Sequence, residues 1–287
     1  MKFDTFSKYD PRRVALAERA FLTVWAGLGV WREDMVLVGG LAPKYLCGDV
    51  TAVRSLPRPV TLDADIGITL GASAGQYGRL LDHLAAQGFV LTNDEFGAMR
   101  FMQVIEGYRV FVDFLVEDPR GNTGTVIVDS IPANIMPGVN RALEKARLVD
   151  VEGIDLFGAK QNLTIRVCEV GPFLALKLRA FGSRQQPKDA FDILYTLSHY
   201  DAGTVRAVCA FAEEAACGNS AMKDALQCLM NHFVDENSPG PLRAAYIVHG
   251  RQVPGEPGDV ALQRIMIRQD MVDAANQLRN AIDRLKP

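Results

Sequence analysis

Hydrophobic residues follow two different patterns along this chain. Before about residue 165 they form short runs separated by glycine, proline and polar residues, which is typical of strands joined by turns. After it they recur three or four residues apart, the spacing of one helix face. The pattern predicts an α/β domain over residues 1–165, built on a mixed sheet, and a helical C-terminal domain over residues 166–287.

Turn and capping residues set the expected elements. Asp10-Pro11 is a typical helix start, since Asp caps the N-terminus and Pro suits the first turn. Strands are expected at 35–38, 60–70, 89–92, 99–105, 108–116, 125–128, 154–157 and 163–167. Helices are expected from residue 11 and at 41–46, 73–87, 140–148, 173–181, 188–199, 203–216, 219–233, 240–248 and 259–285.

Two carboxylates stand out on the strand expected at 60–70. Residues two apart on a strand point to the same face, so Asp63 and Asp65 are expected side by side. Like charges this close repel unless a cation lies between them, and converging carboxylate oxygens suit Mg²⁺ or Mn²⁺. Gly39-Gly40 follows the preceding strand, where backbone amides could approach phosphate oxygens. A tight turn with no ligand explains the two glycines equally well.

A third acid lies in a predicted hairpin. Residues 99–105 and 108–116 are strand-like and are joined by Glu106-Gly107, a two-residue turn. Asp113 is surrounded by apolar neighbours on the second strand, and a buried carboxylate needs a partner or a metal. In a mixed sheet this strand could lie beside the one that carries Asp63 and Asp65. Asp113 would then lie near the pair as a third carboxylate.

Composition excludes several classes of function. The net charge of −3 among 287 residues gives no overall attraction to nucleic acid, so any polyanion site must be local. Five cysteines without a Cys-x-x-Cys pair fit a reducing compartment better than a disulfide scaffold. No apolar run approaches the ~20 residues of a membrane span. We expect a cytoplasmic protein without a membrane partner.

The chain resembles the nucleotidyltransferases of the DNA polymerase β superfamily, and within it the AbiEii-like toxins of type IV toxin–antitoxin systems. Five segments in this order carry the resemblance. They are Val-Gly-Gly-Leu-Ala at 38–42, Arg-Pro-Val-Thr-Leu-Asp-Ala-Asp-Ile at 58–66, Val-Asp-Phe at 112–114, Lys-Leu-Arg-Ala at 177–180 and Pro-Lys-Asp-Ala-Phe-Asp-Ile at 187–193. Leu41 departs from the pattern, because the family usually has a small hydroxyl residue there.

The resemblance implies transfer of a nucleotide from an NTP to a hydroxyl acceptor, with release of pyrophosphate. Asp63 and Asp65 would hold two Mg²⁺ (or Mn²⁺) ions, and Gly39 and Gly40 would hold the phosphates. Asp113 would complete the metal site on the acceptor side, where it would bind the metal that activates the attacking hydroxyl or accept its proton. Lys177, in an apolar stretch unusual for a solvated lysine, would face the triphosphate, and Asp189 would lie near the nucleotide. The acceptor would be a tRNA 3′ end or a protein side chain, and a cognate antitoxin would be a partner.

Two other interpretations of the same residues stay open. Asp-x-Asp with manganese also binds nucleotide sugars in glycosyltransferases, but that interpretation explains neither Gly39-Gly40 nor Asp113. A non-catalytic nucleotide-binding module of the same fold would keep the shape and lose the reaction. For Asp189, stabilisation by the helix dipole in the first turn of its helix is a sufficient structural explanation.

Overall fold

A computed structural model of the chain describes residues 3–48, 56–69, 78–93 and 97–284. It confirms the mixed α/β class. The chain divides into two compact units, one of residues 10–42 and 60–169 and the other of residues 1–9, 43–59 and 170–287. We call them the sheet unit and the helical unit. In the described ranges no helix is both long and apolar enough to cross a membrane.

The predicted boundary between residues 165 and 166 differs from this division. It falls inside a strand, Lys160–Cys168, so the sheet unit continues to Glu169. The helical unit also takes in two segments from the first sixty residues. Phe6–Lys8 contacts the helix Pro239–His249, and Pro43–Leu46 contacts the helix Pro187–His199. A local hydrophobic pattern does not reveal partners this far along the chain.

The sheet unit contains nine described strands and three described α-helices. The strands are β1 (Met35–Val38), β2 (Asp63–Ile68), β3 (Val90–Asn93), β4 (Met99–Ile105), β5 (Tyr108–Val116), β6 (Thr125–Val128), β7 (Ile131–Ile135), β8 (Ala146–Ile154) and β9 (Lys160–Cys168). The helices are α1 (Pro11–Gly27), α3 (Gly78–Ala86) and α4 (Val139–Glu144), with α2 (Pro43–Leu46) in the helical unit.

Strand order in the main sheet is β3-β4-β5-β2-β1-β9-β8, and β7 pairs with β5 and with β6. The pairs β2·β5, β1·β9 and β5·β7 are parallel and the others are antiparallel. The predicted neighbourhood of β2 and β5 is therefore confirmed. Helix α1 covers β5, β2 and β9, and buries Phe21 and Trp25 against the sheet.

Two parts of the region 117–158 differ from the predicted elements. The charged helix expected at 140–148 ends at Glu144, and residues 146–154 form β8 in place of a strand at 154–157. The alternation that marks β8 is obscured because its exposed face mixes Leu148 and Ile154 with acids. Strand β7 was not predicted, since the turn before it, Asp129-Ser130, reaches positive φ without a glycine.

The expected helical second half of the chain is confirmed, although its first helix begins at Val170 and the predicted start was residue 166. Its helices are α5 (Val170–Arg184), α6 (Pro187–His199), α7 (Thr204–Ala216), α8 (Met222–His232), α9 (Pro239–His249) and α10 (Gly258–Asp283). Helix α5 packs on α7 and α8, and α6 packs on α9. Phe181, Phe191, Phe211 and Phe233 are fully buried in this unit.

Candidate metal centre

The register of β2 and β5 brings the three predicted acids together. On the central strand β2, Asp65 lies beside Asp113 of β5 on one side and beside Val38 of β1 on the other. Asp63 is two residues earlier on the same face. One oxygen from each of Asp63, Asp65 and Asp113 lies within 4.8 Å of the other two. The spatial prediction for these three residues is confirmed.

Gly39 completes the site on the β1 side. Its φ is +70°, a backbone conformation that side-chain-bearing residues rarely adopt. A Cβ added there would lie 1.8 Å from Oδ2 of Asp65. The glycine therefore serves the turn and also leaves the space that the Asp65 carboxylate fills. Gly40 is buried in the 3-10 turn that follows.

The helix expected at 41–46 is shorter than predicted. It begins at Pro43 and has a single turn, so its macrodipole is a weak source of positive potential. Any phosphate binding at this bend depends on the backbone amides of the glycine turn, because a one-turn helix adds little attraction for anions.

Asp63 and Asp113 are buried and heavily bonded. Thr61 donates from Oγ1 to Oδ1 of Asp63 at 2.6 Å. Arg100, on β4, donates from Nε to Oδ1 of Asp113 at 2.8 Å and from Nη2 to Oδ2 at 2.6 Å. The same Nη2 reaches Oδ2 of Asp63 at 3.2 Å. Arg100 therefore forms a bidentate ion pair with Asp113 and also bridges to Asp63.

Arg100 was missed by sequence reasoning, although the hairpin contained the signal. The turn Glu106-Gly107 sets Ile105 opposite Tyr108 and Phe101 opposite Val112. One step further in the same register, Arg100 faces Asp113. An arginine between apolar residues on a half-buried strand needs an acidic partner, and the two-residue turn identifies that partner.

The charges in this cluster do not balance. Burial raises the pKa of Asp113, Arg100 lowers it, and Asp65 and Asp63 raise it again, with a net value of about 7. Burial also opposes the charge of Arg100, but the three acids outweigh that effect and raise its pKa. Three carboxylates around one guanidinium leave an excess of negative charge, which a divalent cation would neutralise.

The donor set fits a hard divalent ion. All three groups are carboxylates, the ligands that Mg²⁺ and Mn²⁺ prefer, and two of them lie on one strand with fixed spacing. Comparison of the chain with models of known protein families and with curated proteins found no match.

Lys177 and Asp189 lie together in the helical unit. Lys177 Nζ, on α5, lies 2.7 Å from Oδ2 of Asp192 and 3.2 Å from Oδ1 of Asp189, both on α6. Arg184 donates to both oxygens of Asp189, and Lys188 donates to Asp192 at 2.6 Å. Burial disfavours the charge of Lys177, but the two acids outweigh burial and raise its pKa.

This buried ion cluster gives Lys177 and Asp189 a structural role in the helical unit. Lys188 belongs to the same cluster, and so does Arg184, whose side chain is 39% exposed. The signal for the cluster was present in the sequence, since a lysine on an apolar helix face requires a buried acid. The roles predicted for Lys177 and Asp189 at the nucleotide stay predictions.

Proposed function

We propose that this protein is a divalent-metal-dependent nucleotidyltransferase, which transfers a nucleotide from an NTP to a hydroxyl acceptor and releases pyrophosphate. One observation carries the proposal: Asp63, Asp65 and Asp113 converge from two parallel strands, next to the turn at Gly39. The ordered motifs of the sequence add support. Transfer of this kind needs mainly positioning and charge stabilisation, which a cluster of carboxylates with a divalent ion can supply.

Each residue of the site has a proposed role in binding the ion or the phosphates. Asp63 and Asp65 would hold the ion, and Thr61 fixes the orientation of the Asp63 carboxylate through its hydrogen bond. Gly39 leaves room for Asp65. The bound ion would neutralise developing charge on the phosphoryl oxygens. Backbone amides of the glycine turn would receive the β- and γ-phosphates.

In the reaction, the acceptor oxygen forms a bond to the α-phosphorus. The bond from that phosphorus to the pyrophosphate oxygen breaks, and pyrophosphate leaves with the electron pair. The hydroxyl proton passes to a base, and Asp113 is the residue proposed for this role. A tRNA 3′ end or a protein hydroxyl is the proposed acceptor, and an antitoxin is a proposed partner.

The test is incubation of the protein with each α-³²P-labelled NTP, Mg²⁺, and either total RNA or total protein. We expect label in one of the two pools and stoichiometric release of pyrophosphate. Asp65→Asn should lower the labelling rate at least ~100-fold, since it removes a charge from the ion site. Asp150→Asn is a matched control, because Asp150 is an exposed acid on β8 of the same sheet.

Circular dichroism of both variants separates lost chemistry from lost fold. Parental labelling by a folded Asp65→Asn variant would contradict the proposal. Transfer of sugar from a nucleotide sugar without pyrophosphate release would favour a glycosyltransferase. NTP binding that Mg²⁺ does not strengthen, with no turnover, would favour a non-catalytic module.

A further inference from the structure

We propose that Arg100 takes the place of a second metal ion in this centre, so that the site holds a single divalent ion at Asp63 and Asp65. The inference rests on the proposed function and assigns a residue that the sequence motifs do not include. It also removes Asp113 from the metal ligands and makes it the partner of Arg100.

Arg100 contacts two of the three acids. Its guanidinium donates to both oxygens of Asp113 and to Oδ2 of Asp63. A cation shared by these two acids is what a second metal ion would be in a two-metal site built on three carboxylates. The guanidinium therefore already fills the position where Asp113 and Asp63 would meet such an ion.

The surroundings of Arg100 hold it in this position. Its side chain is 11% exposed. The guanidinium carbon lies 4.3 Å from the centre of the Phe111 ring, a cation–π distance. Strand β4 supplies the arginine directly opposite Asp113, so the ion pair is fixed by sheet register. Displacement of Arg100 by a metal would break a side-on ion pair and a ring contact together.

The net charge of the three acids and Arg100 also favours a single ion. With all three carboxylates ionised, the three acids and one guanidinium carry two net negative charges, which one divalent ion neutralises before nucleotide binds. Asp63 and Asp65 each offer a carboxylate oxygen, and these two atoms lie within 4.8 Å of each other. Asp63 and Asp65 together can therefore bind one ion while Arg100 stays in place.

The experiment counts Mn²⁺ ions by electron paramagnetic resonance on chelator-stripped protein, alone and with each of the four α,β-methylene NTPs. A pair of ions about 4 Å apart gives a spin-coupled signal, and a single ion does not. We expect one bound Mn²⁺ in the parental protein and no spin-coupled signal with or without nucleotide analogue. Asp113→Asn should still bind one Mn²⁺.

Arg100→Met, which keeps length and removes charge, should bind a second Mn²⁺ with spin coupling and should bind the first roughly tenfold more tightly or better. Arg100→Lys keeps the charge and should bind one. A spin-coupled pair in the parental protein, or loss of an ion in Asp113→Asn, would overturn the inference and leave the proposed function standing. If Arg100→Met does not fold, these two measurements decide the question alone. Absence of any bound Mn²⁺ in the parental protein would overturn the proposed metal centre as well.

Discussion

Replacement of Gly39 by alanine tests the link between the glycine turn and the acids. Gly39 has a φ of +70° and packs directly against Asp65. An added Cβ would lie 1.8 Å from Oδ2 and 2.6 Å from Cγ of Asp65, whereas real Cβ contacts essentially never come under 3.0 Å. The carboxylate oxygen must therefore move by more than 1 Å.

Two costs follow from this change. The left-handed backbone conformation costs about 1–2 kcal/mol for a residue with a side chain. Displacement of a positioned group by about 1 Å can cost roughly 100-fold in rate. For a chain of this size, 1 kcal/mol corresponds to a change in Tm of about 2–4 °C. We expect Gly39→Ala to lower Tm by roughly 2–8 °C, to lower nucleotide transfer about 100-fold and to weaken Mn²⁺ binding.

Gly29→Ala is the matched control. Gly29 has a φ of +56°, and an added Cβ there would meet nothing within 4 Å. It should show a comparable loss of Tm and parental transfer. The assays are thermal unfolding by circular dichroism, Mn²⁺ titration and label transfer. If folded Gly39→Ala transfers label and binds Mn²⁺ as well as Gly29→Ala does, the reasoning about Asp65 is refuted.

Three further predictions follow from buried charges. Lys177→Met removes the cation that Asp189 and Asp192 share, while Asp189 keeps Arg184 and Asp192 keeps Lys188. It should lower the free energy of unfolding, measured with urea, by about 1.5–3 kcal/mol. Arg206→Met breaks an exposed pair with Glu213 and should cost under ~1 kcal/mol, and equal losses would contradict the cluster. Thr61→Val removes the hydrogen bond to Asp63, so it should lower the free energy of unfolding by about 1–3 kcal/mol and weaken Mn²⁺ binding. An unchanged urea midpoint would be evidence against this bond. With a chelator present, the free energy of unfolding should fall as pH rises from about 4 to 7 and should level off above pH 7. The reason is that Asp113 has a pKa of about 7 in the folded chain and about 3.8 in the unfolded chain, so the folded chain binds this proton more tightly. Asp113→Asn should flatten the slope, and the same slope in both proteins would refute the assignment.

Sequence reasoning was strongest where local rules decide the outcome. The hairpin of β4 and β5 was predicted with its observed bounds, because Glu106-Gly107 suits the positive φ angles, 52° and 81°, of a two-residue turn. Asp10 caps α1 through a bond from the Arg12 amide, as its position predicted. Strand β8 was missed because Leu148 and Ile154 on its exposed face hide the alternation, and its pairing with β9 is not a local property.

The sequence by itself determined the acids, the strands that carry them and the helical second half, because hydrophobic period and turn chemistry are local properties. Only the tertiary structure decided that β5 lies parallel to β2 with Asp113 beside Asp65, that Arg100 also reaches Asp63, and that Thr61 bonds to Asp63. It likewise paired Lys177 with Asp189 and Asp192. Strand order and register depend on packing between distant segments, and buried charges find their partners through that packing.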